Sequence, residues 1–169
     1  VYDALLDLRA RRGERSVADG GAVTCRTRWL AAATYLRGIR LVHVPTTVMA
    51  QVDSAIGGKV GVNHARGKNL IGAFYPPAIV VVDPDTLISL SRREFRAGLY
   101  EVIKYGLIAE PSLLDLLERH LDAVLSQQGD ALSEVIRTCC RIKAEVVSAD
   151  EHERGLRRMN ELGVLGAFI

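Results

Sequence analysis

Two strongly apolar β-type runs, residues 39–44, broken only by Arg40 and His43, and residues 78–82, apolar throughout, bracket thirty residues of a different character, PTTVMAQVDSAIGGKVGVNHARGKNLIGAF. Strands that are apolar on both faces belong in a sheet covered by helices on both sides, so the chain is expected to open as an α/β layer. Such sheets bind ligands beyond the carboxyl ends of their strands, and Thr46 and Thr47 follow the first run directly. The bracketed stretch is poor core material and good ligand-holding material. Its five glycines let backbone approach a ligand closely, and free N–H groups beside Lys59 and Lys68 form a cradle suited to a phosphorylated small molecule. A Walker A loop does not fit, because Gly67-Lys68 is followed by Asn69 and Val62 stands five residues before Gly67.

After residue 90 the strand pattern stops. Ser91 and Glu94 form a capping box for a helix with Phe95, Leu99, Val102 and Ile103 on one stripe. Pro111 suits the first turn of a leucine-rich helix through residue 121, and Asp130 can cap another running to about residue 147. A helix is also expected over residues 2–11. The chain therefore divides near residue 91 into an α/β part, 1–91, and an all-α part, 92–169.

Composition narrows the partners. A net charge of +2 gives no electrostatic case for nucleic acid or an anionic membrane. No apolar run is long enough to span a bilayer and no leader is visible, which sets the expectation of a cytoplasmic protein. Cys25, Cys139 and Cys140 lack metal-ligand spacing, and side chains at adjacent helical positions diverge, so no structural disulfide is expected. The first residue is Val rather than Met, and the expectation is a fragment.

Three charged residues on helices invite two readings each. Glu101 and Lys104 share a face at i,i+3, a spacing that by itself describes a solvated salt bridge. Lys143 falls inside the apolar stripe of Leu132, Val135, Ile136, Cys139 and Val146, so it either snorkels to an edge or meets an anion. His43, His64, His120 and His152 have no ligand-like spacing and read as structural or solvated.

The segments QVDSAIGGK, GKNLIGAF, GLYEVIKYG (98–106) and KAEVVSADEHERGLR (143–157), in that order, resemble the 3-dehydroquinate synthase family, over residues 31–157. The resemblance implies a dehydroquinate synthase-like fold, an α/β nucleotide-binding domain followed by an all-α helical domain, both partial here. It implies a shikimate-pathway lyase that converts 3-deoxy-D-arabino-heptulosonate 7-phosphate into 3-dehydroquinate and phosphate, with NAD and a divalent metal, zinc or cobalt. Matched residue by residue, Asp53, Lys59, Asn69, Lys104, Lys143, Glu153 and Arg157 would meet substrate, and Glu101 would bind the metal. Arg37 would reach the substrate phosphate in a neighbouring subunit, implying a homodimer. Thr46, Thr47, Lys59, Lys68 and the turn Thr86, Leu87, Ile88, Ser89 would contact NAD. Another sugar-phosphate cyclase, an iron-type polyol dehydrogenase and an inactive fragment are the competing readings.

Two stretches depart from the family pattern. Where a GGGxxGD turn is expected the chain reads ADGGAVTCRTRWLA, with Arg26 in the place of the aspartate and bulky Arg28 and Trp29 where a helix should approach phosphate and sheet closely. In the tail, Glu161, Val164 and Phe168 stand where an asparagine, a metal-ligating histidine and a substrate-site histidine are expected. Both departures predict an impaired copy, with a weakened cofactor turn and weak zinc binding.

Overall fold

The computed structural model describes residues 1–127 and 129–149. It opens with a short helix α1 (Tyr2–Asp7), then strand β1 (Arg15–Gly20), helix α2 (Ala22–Thr34), a 3-10 turn (Tyr35–Arg37) and strand β2 (Arg40–Pro45). β1 and β2 pair in parallel, from Arg15 opposite Arg40 to Gly20 opposite Pro45, and the crossover between them is α2. β5 (Ile79–Val80) adds a third parallel strand on the other side of β2, in the order β1-β2-β5. The fold class read from the apolar runs is the one observed.

Several elements differ from expectation. The helix over residues 2–11 ends at Asp7, because Arg9 takes a left-handed φ of 51° that no helix interior accepts. The strand over 78–82 shrinks to two residues, although Ala78 N–H donates to the Leu41 carbonyl and Val81 N–H to the His43 carbonyl, each at 2.8 Å. The glycine-rich stretch, for which no regular element was expected, is a π-helical turn (Ala50–Ser54) followed by an antiparallel hairpin of β3 (Lys59–His64) and β4 (Gly67–Phe74). Glycines in a strand favour close backbone approach over side-chain packing, so the hairpin lacks the alternation that announces a strand.

A 3-10 turn (Pro84–Ser89) leads into the helices α3 (Arg92–Ile108), α4 (Ser112–Arg119), α5 (Leu121–Leu125) and α6 (Asp130–Ala149). Ser91 Oγ accepts the Glu94 N–H at 3.2 Å, the forward half of the expected capping box. The helices share one buried cluster around Phe95, Val102, Tyr105, Leu113, Val135 and Ile136, and Val48, Val52 and Leu87 from the preceding segments join it. A second cluster, Ala18, Cys25, Trp29, Ala32, Ile39, Leu41 and Val60, seals α2 onto the sheet and hairpin. Each large side chain buried in this way contributes roughly 1.5–3 kcal/mol.

Trp29 corrects one expectation. It does not hold α2 away from the sheet; it is buried beneath the helix, edge-on to His43 with ring centroids 4.6 Å apart, and its indole N–H donates to the Tyr75 carbonyl. Arg26 and Arg28 lie on the exposed flanks of the same helix.

Candidate active site

The π-helical turn brings Asp53 against the C-terminal half of α6. A π turn widens the backbone by one residue and is held here from several sides. Gln51, fully buried inside it, donates through Nε2 to the carbonyls of Pro45 and Asp83 at 3.1 and 2.8 Å and to Thr86 Oγ1 at 3.1 Å. Cys140 Sγ on α6 contacts the Gln51 carbonyl at 3.4 Å. From α3, the buried Tyr105 hydroxyl donates to the Val52 carbonyl at 3.2 Å and lies 3.3 Å from Asp53 Oδ1.

Asp53 Oδ1 also accepts from Lys143 Nζ at 2.5 Å. Lys143 therefore does not snorkel: its side chain is 10% exposed, and the anion it meets is a carboxylate of its own chain. Burial pushes the Asp53 carboxyl up, but the Lys143 ammonium, with help from Lys104 and the Tyr105 hydroxyl, outweighs it and holds the group below the usual carboxylate range. One turn before Tyr105, Glu101 pairs with Lys104, and both side chains are largely buried rather than solvated. Burial pushes the Glu101 carboxyl up, the nearby Asp53 charge adds to that, and Lys104 offsets only part. Lys104 also sits over the Tyr105 ring, 5.4 Å from its centroid.

Of these groups Asp53, Lys104 and Lys143 face a cleft of about 540 Å³ between the hairpin and the helices. Asp53, Lys59, Asn69, Lys104 and Lys143 line it, together with Arg26, Ser54 and the hairpin backbone at Gly61 and Gly72. The five residues come from the π turn, β3, β4, α3 and α6. Four cationic side chains against the single carboxylate of the lining make it a receptor for an anion. Sequence reasoning missed Tyr105, which lay inside a quoted segment without a role, and Arg26, read only as a departure.

A second cleft of about 280 Å³ opens where β1 gives way to α2, lined by Gly21, Ala22, Val23, Thr24, Thr47, Met49, Glu94, Ala97 and Gly98. Gly21, the N-cap, offers no side chain to the first-turn N–H groups of α2, and a Cβ there would stand 3.0 Å from Thr47 Cγ2. A helix start after a parallel strand, with no side-chain cap and little space for a Cβ at its N-cap, suits a diphosphate.

The remaining expected cofactor contacts are scattered. Thr46 donates its N–H to the Gly20 carbonyl at 3.0 Å and adjoins this second cleft. Thr86 Oγ1 is occupied with the Asp83 carbonyl at 2.7 Å, Leu87 is wholly in the core, Ile88 is exposed and Ser89 Oγ turns back to the Thr86 carbonyl at 3.4 Å. Lys68 is exposed on β4 and lines neither cleft, and Arg37 sits at the end of the 3-10 turn with φ of 63°, also outside both. Glu153, Arg157, His152 and the tail with Glu161, Val164 and Phe168 lie outside the described residues. Among the described residues no three His, Cys, Asp or Glu side chains gather as a metal-binding group, so Glu101 stands there without co-ligands. No helix among them is long and apolar enough to cross a membrane.

Comparison with known proteins places this geometry. Residues 1–97 match the family model described as 3-dehydroquinate synthase N-terminal, and residues 98–165 match 3-dehydroquinate synthase C-terminal. The 3-dehydroquinate synthase of Geobacter metallireducens is 52% identical over 163 residues, covering 96% of this chain and 45% of the relative. That of Nitrosomonas europaea is 50% identical, with 96% and 44% covered. The chain thus spans a little under half the length of these curated relatives. Among solved structures, 2-epi-5-epi-valiolone synthase from Streptomyces hygroscopicus subsp. jinggangensis, with NAD+ and Zn2+ bound, superposes with a TM-score of 0.88 at 34% identity, over 96% of this chain and 46% of the other. 2-Deoxy-scyllo-inosose synthase with carbaglucose-6-phosphate, NAD+ and Co2+ gives 0.84 at 34% identity, over 96% and 45%. Glycerol dehydrogenase from Schizosaccharomyces pombe, at 17% identity and a TM-score of 0.59 over 83% and 43%, shares the fold alone.

Proposed function

The chain belongs to the 3-dehydroquinate synthase family, and from that premise we propose that it carries part of the active site that converts 3-deoxy-D-arabino-heptulosonate 7-phosphate into 3-dehydroquinate and phosphate. The observation that carries the reading is the main cleft, where Asp53, Lys59, Asn69, Lys104 and Lys143 converge from five elements on a space fit for a phosphorylated sugar acid. Lysines neutralise the phosphate and carboxylate and fix the substrate's orientation, so positioning supplies much of the rate. Asp53, held charged by Lys143, accepts hydrogen bonds from substrate hydroxyls, and Tyr105 fixes the direction in which it does so. The bare start of α2 beside Thr47 would hold the diphosphate of NAD, which supplies reversible oxidation of a substrate hydroxyl when bound. We assign Glu101 as one ligand of a divalent metal, zinc or cobalt; the described residues do not complete that site.

The same reading puts the boundary between an NAD-binding and a helical domain at residues 91 and 92, where Ser91 caps α3. It sets the enzyme in the cytoplasm as a homodimer, with Arg37 directed to the partner's substrate. A second cyclase specificity is favoured by the two solved relatives at 34% identity, whereas the curated relatives at 50–52% favour dehydroquinate.

The test is a graft of residues 1–149 into the matching segment of the Geobacter metallireducens relative. Phosphate release from the heptulosonate phosphate, dependent on NAD and a divalent metal, is expected. Lys143→Met in the graft should lower kcat/KM about tenfold or more, the value of one charge-assisted contact. Release unaffected by Lys143→Met, or net accumulation of NADH from a polyol, would overturn the assignment.

A further inference from the structure

Helix α2 carries two arginines on opposite flanks of its buried stripe. Cys25, Trp29 and Ala32 face the core. At about 100° per residue, Arg26 lies to one side of that stripe and Arg28 to the other. Arg28 Nη1 is tied to the Val17 carbonyl at 3.0 Å. Arg26 turns toward the hairpin and lines the main cleft with Lys59, Asn69, Lys104 and Lys143, while staying exposed.

The cations of the cleft are not equivalent. Lys143 is bound to Asp53 and Lys104 to Glu101. Among the described residues Arg26 makes no hydrogen bond or ion pair. An anion that meets Lys143 or Lys104 competes with a carboxylate already in place, whereas one that meets Arg26 displaces only water. The guanidinium also presents a planar fork that engages two oxygens at once.

We propose that Arg26 binds a phosphate group entering the main cleft, acting with Lys59 and the Asn69 side chain, and so takes a place that the family pattern gives to an aspartate. The inference rests on the reading of this cleft as the substrate site. Phosphate is favoured over carboxylate because it brings nearly two charges and three acceptor oxygens to a cleft whose lining holds four cationic side chains and one carboxylate.

Inorganic phosphate is titrated into the purified chain by calorimetry, in phosphate-free buffer of low ionic strength, without NAD or metal. Saturable binding is expected, weakened about tenfold in Arg26→Gln and within about twofold of the parent in Arg28→Gln. Arg26→Lys, which keeps charge and stem but loses the fork, should fall between, and Arg26→Asp should weaken binding more than Arg26→Gln. Acetate should bind more weakly than phosphate and respond less to Arg26→Gln. Absence of saturable binding, an Arg26→Gln effect under about twofold, an equal effect of Arg28→Gln, or acetate binding tighter than phosphate would each overturn the proposal. Arg26 is exposed, so its variants should keep the parent's Trp29 fluorescence. Because neither cofactor nor sugar phosphate is present, failure here leaves the cyclase reading to be decided by phosphate release from the graft.

Discussion

Lys143 and Asp53 show how one contact changes the expected effect of a substitution. The apolar stripe around Lys143 by itself suggests that methionine would fit and stability would hold or rise. The ion pair reverses that, because Lys143→Met strands the Asp53 carboxylate beside Tyr105 with its main partner gone. Asp53 keeps 28% of its side chain exposed, so solvent screening should hold the loss to roughly 1–3 kcal/mol, below the cost for a fully buried pair. Urea unfolding at pH 7 should show that loss in Lys143→Met and recover most of it in Asp53→Asn/Lys143→Met; a single variant as stable as the parent would contradict it.

His43 makes a second residue-scale case. It is fully buried against Trp29, neither ring nitrogen has a partner among the described residues, and burial pulls its pKa from 6.5 down to about 4. The unfolded chain therefore binds a proton at higher pH than the folded one. This contribution is intact above pH 6.5 and is lost as the pH falls toward 4, reaching roughly 2–3 kcal/mol near pH 4.5. His43→Gln removes the titration, so its stability should fall less than the parent's between pH 7 and 4.5. Parallel curves would refute the effect.

At the scale of elements, α3 meets the residues before the π turn so closely that a methyl group decides the fit. A Cβ on Gly98 would stand 2.5 Å from Val48 Cβ and 3.0 Å from the Met49 backbone nitrogen. A Cβ on Gly106, in the same helix, would meet only the Leu114 side chain, Cδ2 at 2.5 Å and Cγ at 2.6 Å, and that half-buried side chain can swing away about its own Cα–Cβ bond. Helix propensity favours alanine at both by roughly 1 kcal/mol. Gly98→Ala should nonetheless lose roughly 1–3 kcal/mol by overpacking against backbone, while Gly106→Ala stays within about 1 kcal/mol of the parent. Thermal melts of the pair check this, and the order reversed would mean that α3 does not press on residues 48 and 49.

For the whole molecule, the boundary seen in the sequence is not a boundary in the core. The apolar stripes of the helices are covered from both sides of it: Leu113, Leu117, Val135 and Ile136 are buried, in one cluster with Val48, Val52 and Leu87 from the α/β part. Asp53, Tyr105 and Lys143 add polar ties across the same seam. The two parts should therefore unfold together. Trp29 reports the sheet cluster and the 222 nm ellipticity reports the helices, so their urea midpoints should coincide; separation beyond error would show independent units.

What the sequence alone determined is what repeats over short distances. The apolar run before Pro45, the Ser91 cap, the stripe through Leu132 to Cys139 and the family segments are local patterns, and strand, helix and family followed from them. The order of segments was also enough to nominate Asp53, Lys59, Asn69, Lys104 and Lys143 for one site. Only the tertiary structure decided how they meet. Lys143 and Asp53 are 90 positions apart and Tyr105 and Asp53 are 52 apart, separations at which periodicity says nothing about direction. The hairpin of β3 and β4 was hidden for a related reason: its glycines leave no alternating side chains to read, and its pairing is set by backbone hydrogen bonds that any sequence can make once the chain path brings the strands together. Arg26 was legible as a residue out of place, but its direction into the cleft depends on which face of α2 the sheet buries, and that is fixed by Cys25 and Trp29 packing on strands from either side of the helix in the chain.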